Sequence, residues 1–199
     1  MKKTPRRGKG FGAFFGAVLL TAAMSPKALA SLDDWQCLTS DLVGSPSARA
    51  SFVAASSEAS RLFNISPAMM VAIKRVESGR SLDPMIVGHN RNGTVDRGYY
   101  QVNTEVWMPE LRRIGADLMV ADLHSVRKNA LIAGWILRRK MNRSDIHGPI
   151  EAVGYYHKGG GTDDASRRIR QVYIDKFMTE LRVIVNRCGG SGGLRAALR

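Results

Sequence analysis

One acidic residue on an otherwise apolar helix face constrains this chain more than any other feature. Residues 66–67 are Ser-Pro, a hydroxyl N-cap followed by proline at the first helical position, and Gly79 is typical of a helix end. Spacings of three and four residues place Met70, Ile73 and Glu77 on one face of the predicted helix. The carboxyl group therefore extends an apolar stripe.

This position predicts unusual acid-base behaviour for Glu77. We expect Lys74 and Arg75 to occupy the solvent-facing side of the helix, away from the stripe. Loss of hydration favours the neutral form of a carboxyl group and raises its pKa, so Glu77 can act as a general acid near neutral pH. The alternative is that Glu77 meets solvent in the last turn and has only a surface role.

Two further blocks follow in the sequence. Asn92-Gly93 predicts a two-residue hairpin turn, and the segment 96–103 then reads DRGYYQVN. A predicted helix that starts at Pro149 carries Tyr156 and His157 just before a run of glycines at 159–161.

Together the three blocks resemble the lytic transglycosylase family with the lysozyme-like fold. The small, single-domain members associated with secretion and conjugation systems are the most similar, and the resemblance covers residues 64–159. It implies an α+β fold that is predominantly α, with a small β-hairpin beside the active-site cleft. This chain has Tyr99-Tyr100 where the family has Leu-Met, and His157 where it usually has asparagine.

The resemblance also implies the site residues and the reaction. Glu77 would be the sole catalytic acid and base, with Ser78 orienting it. The substrate-binding residues would be Ser78, Tyr99, Tyr100, Gln101, Asn103, Tyr156 and His157. The implied reaction cleaves the β-1,4 bond between N-acetylmuramic acid and N-acetylglucosamine in peptidoglycan and closes a 1,6-anhydro ring. One carboxyl group suffices because the substrate supplies the nucleophile.

Three other functions remain open. A lysozyme-type hydrolase needs a second carboxylate, for which Glu151 or Asp96 would serve, although Glu151 also suits a first-turn acid favoured by the helix dipole. A non-catalytic scaffold would bind peptidoglycan without turnover. A basic DNA-binding protein would have to reside in the cytoplasm, and no segment matches a nucleic-acid module, so we expect no nucleic-acid partner.

The amino-terminal segment 1–30 is predicted to be a signal peptide. It has a basic start, a short apolar run and a small-x-small cleavage site at Ala28-Leu29-Ala30. We therefore expect a periplasmic protein whose domain spans 31–188, followed by a flexible, Gly-rich basic tail at 189–199. Six of the thirteen net positive charges lie in the first thirty residues, and the remaining +7 suits an anionic partner such as the cell wall.

The two cysteines lie near the ends of the predicted mature domain. In an exported chain, the pair Cys37 and Cys188 predicts a disulfide bond. The histidines are scattered and form no metal-binding motif, so neither a metal nor a cofactor is expected. We expect a monomer that acts on glycan strands, with components of a secretion or conjugation machine as possible partners.

Two later segments predict long helices. The helix at 125–141 has small residues that allow close helix contact, and we interpret it as the buried central helix. The last helix, at 164–186, has an apolar stripe that predicts its inner face: Ile169, Val172, Tyr173, Phe177, Leu181 and Ile184.

Overall fold

A computed structural model describes residues 32–188 and 197–198 of the chain. Its helices are α1 (Leu32–Leu38), α2 (Pro46–Phe63), α3 (Pro67–Ser78), α4 (Thr104–Arg113), α5 (Val126–Met141), α6 (Pro149–His157) and α7 (Asp164–Cys188). Its strands are β1 (Val87–His89), β2 (Val95–Arg97) and β3 (Val102–Asn103), and a 3₁₀ helix spans Val120–His124. The predicted class, α+β and predominantly α, is confirmed.

The predicted signal segment 1–30 lies outside the described residues, as does most of the predicted tail 189–199. Of that tail, Ala197 and Leu198 are described, and both pack against the core. Within 32–188 and 197–198, no helix is both long enough and apolar enough to span a bilayer.

Helix α3 runs through the centre of the core. It packs against α1, α2 and α7, and every residue from Ala68 to Arg75 is buried. Only the last turn, residues 76–78, is partly accessible. The carboxyl group of Glu77 therefore lies where the most enclosed helix of the domain reaches the surface.

The expectation that Lys74 and Arg75 face solvent is wrong. The ammonium group of Lys74 donates to the carbonyl oxygens of Gly79 at 2.7 Å and Ser81 at 2.5 Å. The guanidinium group of Arg75 forms ion pairs with Asp41 and Glu180. Helix α3 has neighbours on all sides, so its cations are buried and stabilise its carboxyl end.

Helix α5, predicted to be the buried central helix, packs closely against α2. A Cβ atom added at Gly134 would lie 2.6 Å from the ring of Phe63 and 3.4 Å from the Cβ of Ala59. The small residue therefore permits the close contact that the sequence predicts.

The three strands form one antiparallel sheet in the order β1-β2-β3. The predicted turn at Asn92-Gly93 connects β1 to β2, and Gly93 has a φ of +82°. The sequence analysis predicts only this hairpin. The short third strand, β3, pairs Asn103 with Asp96 and leads directly into α4.

The loop between β2 and β3 is fixed to α5 by the buried side chain of Asn129. Its amide group donates to the carbonyl oxygens of Arg97 and Leu123, and its oxygen accepts from the N–H of Tyr100. Gly98 lies within this loop with a φ of +73°, and a Cβ atom there would come within 2.5 Å of the Leu123 oxygen. Only glycine fits both the conformation and the space.

The predicted disulfide bond joins Cys37 in α1 to Cys188 at the end of α7, with 5.6 Å between their Cα atoms. The two cysteines are 151 residues apart in the sequence, so the bond closes almost the whole described domain. Such a long loop restricts the unfolded chain strongly.

The predicted inner face of the last helix is partly wrong. Four residues of the stripe are buried: Tyr173, Phe177, Leu181 and Ile184. The other two, Ile169 and Val172, are 42% and 54% exposed. These two aliphatic side chains lie on the outer face of α7 beside Glu77 and line a surface pocket instead.

Gly98→Ala should destabilise the protein far more than Gly93→Ala. Both glycines have positive φ, but nothing lies within 4 Å of a Cβ atom added at Gly93. We expect a loss of about 1 kcal/mol for Gly93→Ala from backbone strain. Gly98→Ala should cost about 3 kcal/mol, because crowding against α5 adds to the strain. Urea unfolding measures the free energy of unfolding of both variants. Equal losses of stability would contradict the close approach of Gly98 to Asn129.

Candidate active site

Glu77 occupies the last turn of α3 at the edge of a pocket of about 300 Å³. The stripe that leads to it is buried, with Met70 and Ile73 only 1% and 2% exposed. Helix α3 ends directly afterwards, where the N–H of Gly79 donates to the Arg75 carbonyl oxygen. The carboxyl group is thus half-buried, with apolar protein behind it and the pocket in front.

A tyrosine from the last helix completes this site. The hydroxyl group of Tyr173 donates to Oε1 of Glu77 at 2.6 Å. The ring of His157 stacks on the ring of Tyr173, with centroids 4.4 Å apart and planes inclined by 6°. Helices α3, α6 and α7 therefore bring Glu77, His157 and Tyr173 together at the pocket.

Burial makes Glu77 a weak acid. Loss of hydration is the largest cause that raises its pKa from the usual 4.5 to about 8, and the negative charge of Asp96 adds to the increase. The hydrogen bond from Tyr173 acts in the opposite direction, because it stabilises the ionised form. The carboxyl group is consequently protonated at neutral pH and can donate its proton.

Glu77 is the only acid among the described residues that line this pocket. The lining residues are Val76, Glu77, His157, Arg168, Ile169, Val172, Tyr173 and Lys176. Among residues 32–188 and 197–198, no group of three or more acidic, histidine or cysteine side chains is placed to hold a metal ion.

The two candidates for a second carboxylate both have structural roles. The carboxylate of Asp96 accepts from Asn103 at 2.7 Å and from Asn90 at 2.9 Å, which fixes it within the sheet. The carboxylate of Glu151 accepts from the N–H of His147 at 2.6 Å and caps the start of its own helix. The interpretation of Glu151 as an acid in the first turn of its helix therefore matches its position.

Ser78 does not contact Glu77, contrary to the predicted orienting role. Its hydroxyl group lies 2.7 Å from the carbonyl oxygen of Tyr99 and 3.1 Å from that of Lys74. Ser78 therefore connects the end of α3 to the loop that follows β2, and it positions the backbone around Glu77 rather than its carboxyl group.

The side chains of Tyr99 and Tyr100 lie in the core, with 1% and 0% of their surface exposed. The Tyr99 hydroxyl group donates to the Leu82 carbonyl oxygen, and the Tyr100 hydroxyl shares a hydrogen bond with Ser56. Both rings therefore serve the core, and the predicted contact of Tyr99 and Tyr100 with substrate stays a prediction for their backbone groups. Two large aromatic rings beside Phe52 fill space that the hydrophobic core requires.

Gln101 and Asn103 are both engaged within the sheet region. The amide group of Gln101 donates to the Gly98 carbonyl oxygen at 2.7 Å. The Asn103 amide donates to Asp96, and its oxygen accepts from the N–H of Val106 at the start of α4. Neither side chain lines the pocket of Glu77, so their predicted contacts with sugars remain predictions.

Tyr156 and His157 are the last two residues of α6. Tyr156 donates to the Tyr100 carbonyl oxygen at 2.7 Å. Burial raises the pKa of Tyr156, and the negative charge of the nearby Glu77 carboxylate adds to the increase. Of the predicted substrate-binding residues, only His157 lines the pocket directly.

Tyr173 is not predicted from the sequence as a site residue, because it lies within an apolar stripe that predicts a core position. A signal was present: a tyrosine buried on a helix face needs a partner for its hydroxyl group. The sequence alone does not show that this partner, Glu77, lies 96 residues earlier in the chain.

Comparison with known proteins finds similarity to invasion proteins of Salmonella. The invasion protein IagB of Salmonella typhimurium is 31% identical over 126 residues, which are 63% of this chain and 73% of that protein. IagB from a second strain of Salmonella typhimurium and from Salmonella typhi match with the same identity and coverage. No family model and no solved structure matches the chain.

Tyr173→Phe should change how the stability of the protein depends on pH. The pKa of Glu77 is higher in the folded than in the unfolded state, so the free energy of unfolding decreases as the pH rises from about 4.5 to about 8. Without the bond from Tyr173, the pKa of Glu77 rises further and the decrease continues to higher pH. We expect an additional loss of about 1 kcal/mol by about pH 9.

Tyr156→Phe is the matched control, because it removes a hydroxyl group beside the same pocket that donates to Tyr100 rather than to Glu77. The free energy of unfolding of this variant should depend on pH in the same way as that of the wild type. Urea unfolding at a series of pH values measures the free energy of unfolding of all three proteins. The same pH dependence for Tyr173→Phe and the wild type would contradict the hydrogen bond from Tyr173 to Glu77.

Proposed function

This chain belongs to the family of the Salmonella invasion protein IagB, and we propose that it is a peptidoglycan lytic transglycosylase. The substrate would be the β-1,4 bond between N-acetylmuramic acid and N-acetylglucosamine. The observation that carries the proposal is the carboxyl group of Glu77, which is protonated at neutral pH and is the only acid among the described residues that line its own pocket. Asp175 and Glu180 line only the neighbouring hollow.

In the first step, Glu77 donates its proton to the glycosidic oxygen while the bond from that oxygen to C1 of the muramic sugar breaks. The leaving sugar departs with a new hydroxyl group, and C1 becomes electron-deficient. Burial makes this transfer effective, because a carboxyl group with a pKa of about 8 still holds its proton at neutral pH.

In the second step, the carboxylate of Glu77 accepts the proton of the C6 hydroxyl group of the same muramic sugar. The C6 oxygen bonds to C1 and closes the 1,6-anhydro ring. Glu77 thereby regains its proton, and no water is consumed. One carboxyl group can thus serve as acid and then as base.

Tyr173 supports this cycle as a positioning residue. Its hydroxyl group holds one oxygen of Glu77 at 2.6 Å and leaves the other free for the substrate. It also stabilises the carboxylate that exists between the two steps. Burial raises the pKa of Tyr173 well above its usual value, so its hydroxyl group remains a hydrogen-bond donor throughout.

A lysozyme-type hydrolase is the second candidate, but the contacts of the acids disfavour it. Such an enzyme needs a second carboxylate to activate water or to bond to the sugar. Asp96 is held by two asparagine amides, and Glu151 caps its own helix. A non-catalytic, peptidoglycan-binding scaffold is the third candidate.

We further propose that the protein works in the periplasm, after removal of a signal peptide at 1–30. The disulfide bond between Cys37 and Cys188 suits an oxidising compartment. The relatives are named invasion proteins, and local opening of the cell wall where a secretion or conjugation machine crosses it would suit such a context. Components of that machine would be its partners, and the enzyme itself would act as a monomer.

Mass spectrometry of digested peptidoglycan tests the proposed reaction. The mature protein should release muropeptides that are one water lighter than hydrolytic products. Glu77→Gln keeps the size of the side chain and a hydrogen-bonding partner for Tyr173, but it has no proton to transfer, so its turnover should fall by at least about a thousandfold.

Glu151→Gln is the control that removes a carboxylate outside the pocket, and it should retain the anhydro products. Products with ordinary reducing ends would instead indicate the hydrolase. Binding to the cell wall without products from either the wild type or Glu151→Gln would favour the scaffold.

A further inference from the structure

The pocket of Glu77 continues into a second hollow along the seam between α3 and α7. The second hollow has a volume of about 490 Å³ and shares Val76, Val172 and Lys176 with the first. Together they form one trough, which starts at Glu77 and extends beside α7 as far as Thr179 and Glu180.

The wall of this trough is apolar where α7 passes Glu77. Ile169 and Val172 lie three residues apart on α7, so they project from the same face of the helix. They are 42% and 54% exposed, although both are aliphatic. These two neighbouring side chains give the pocket an apolar surface that a ligand can contact.

Two cations flank this apolar wall. Arg168 and Lys176 both line the pocket, and neither forms an ion pair with any residue in the described part of the chain. Arg167, the neighbour of Arg168, pairs instead with Asp164. The positive charges of Arg168 and Lys176 are therefore available to a ligand.

The far end of the trough has a different character. Arg75 is buried there but already has ion pairs with Asp41 and Glu180. Asp175 adds a negative charge to the lining. The cations that a ligand can reach are thus concentrated close to Glu77, beside the aliphatic wall.

We propose that this trough binds the peptide substituent of the glycan strand, so that the enzyme prefers peptide-bearing strands to bare ones. This inference rests on the proposed function. In peptidoglycan the peptide is attached through a lactyl group to C3 of the muramic sugar, the same sugar whose C1 would react at Glu77. The peptide therefore leaves the sugar ring close to the start of the trough.

The chemistry of the trough matches such a peptide. Its carboxylates would meet Arg168 and Lys176, and its short methyl side chains would lie against Ile169 and Val172. Charge complementarity of this kind contributes specificity. A strand whose peptides are removed keeps one lactyl carboxylate on each muramic sugar, but it loses the further carboxylates and the methyl groups that would extend along the trough.

Binding to two forms of one substrate tests the proposal. The probes are soluble glycan strands of equal length, with their peptides intact or removed by an amidase. Calorimetry with Glu77→Gln, which prevents cleavage, should show tighter binding of the peptide-bearing strands. Adding Arg168→Gln and Lys176→Gln should reduce this preference about two- to fivefold per cation, and added salt should reduce it as well.

Arg182→Gln, added to Glu77→Gln, is the matched control. Arg182 is exposed on the same helix but lines neither hollow, so its removal lowers the positive charge by one and should leave the preference unchanged. An equal loss from Arg182→Gln would mean that overall charge, not the trough, attracts the peptide, and would overturn the proposal.

Equal binding of the two strands by Glu77→Gln would also overturn it. So would an equal loss of affinity for both strands after Arg168→Gln and Lys176→Gln, since that result assigns the trough to the sugar backbone. Because binding is measured without turnover, a preference for peptide-bearing strands would stand even if no anhydro product formed. Conversely, anhydro products without a preference would leave the proposed reaction intact.

Discussion

The enclosure of α3 by its neighbouring helices up to its last turn determines the chemistry of Glu77. A carboxyl group there has apolar protein on one side and loses much of its hydration, so its pKa rises to about 8. The hydrogen bond from Tyr173 then fixes one carboxyl oxygen and limits the increase. Burial keeps Glu77 protonated at neutral pH, and the hydrogen bond from Tyr173 on α7 orients its carboxyl group.

Several buried polar contacts fix the backbone around Glu77. Lys74 binds the carbonyl oxygens that follow α3, Ser78 connects the helix end to Tyr99, and Asn129 fixes the same loop to α5. Each is a polar group that is satisfied by backbone, which makes the backbone around the site rigid. The disulfide bond between α1 and the end of α7 restrains the helix that carries Tyr173.

The sequence predicts features that depend on local spacing. The helix that ends after Glu77, the turn at Asn92-Gly93 and the paired cysteines follow from patterns that a few residues carry. The environments of Lys74, Tyr99 and Tyr173 do not, because each depends on which elements lie opposite in three dimensions. A lysine is ordinarily exposed, yet Lys74 is buried because two loop carbonyls accept from it. An aromatic pair in a predicted cleft segment lies in the core because Phe52 faces it.

Titration of the Glu77 carboxyl group tests whether it is protonated at neutral pH. Carbon-13 NMR of protein labelled at the glutamate side chains, with Glu77→Gln to assign the resonance, follows that one group. The structure predicts a midpoint of about pH 8. A midpoint near the usual 4.5 would show that the carboxyl group is hydrated and ionised at neutral pH, and would contradict its role as the acid.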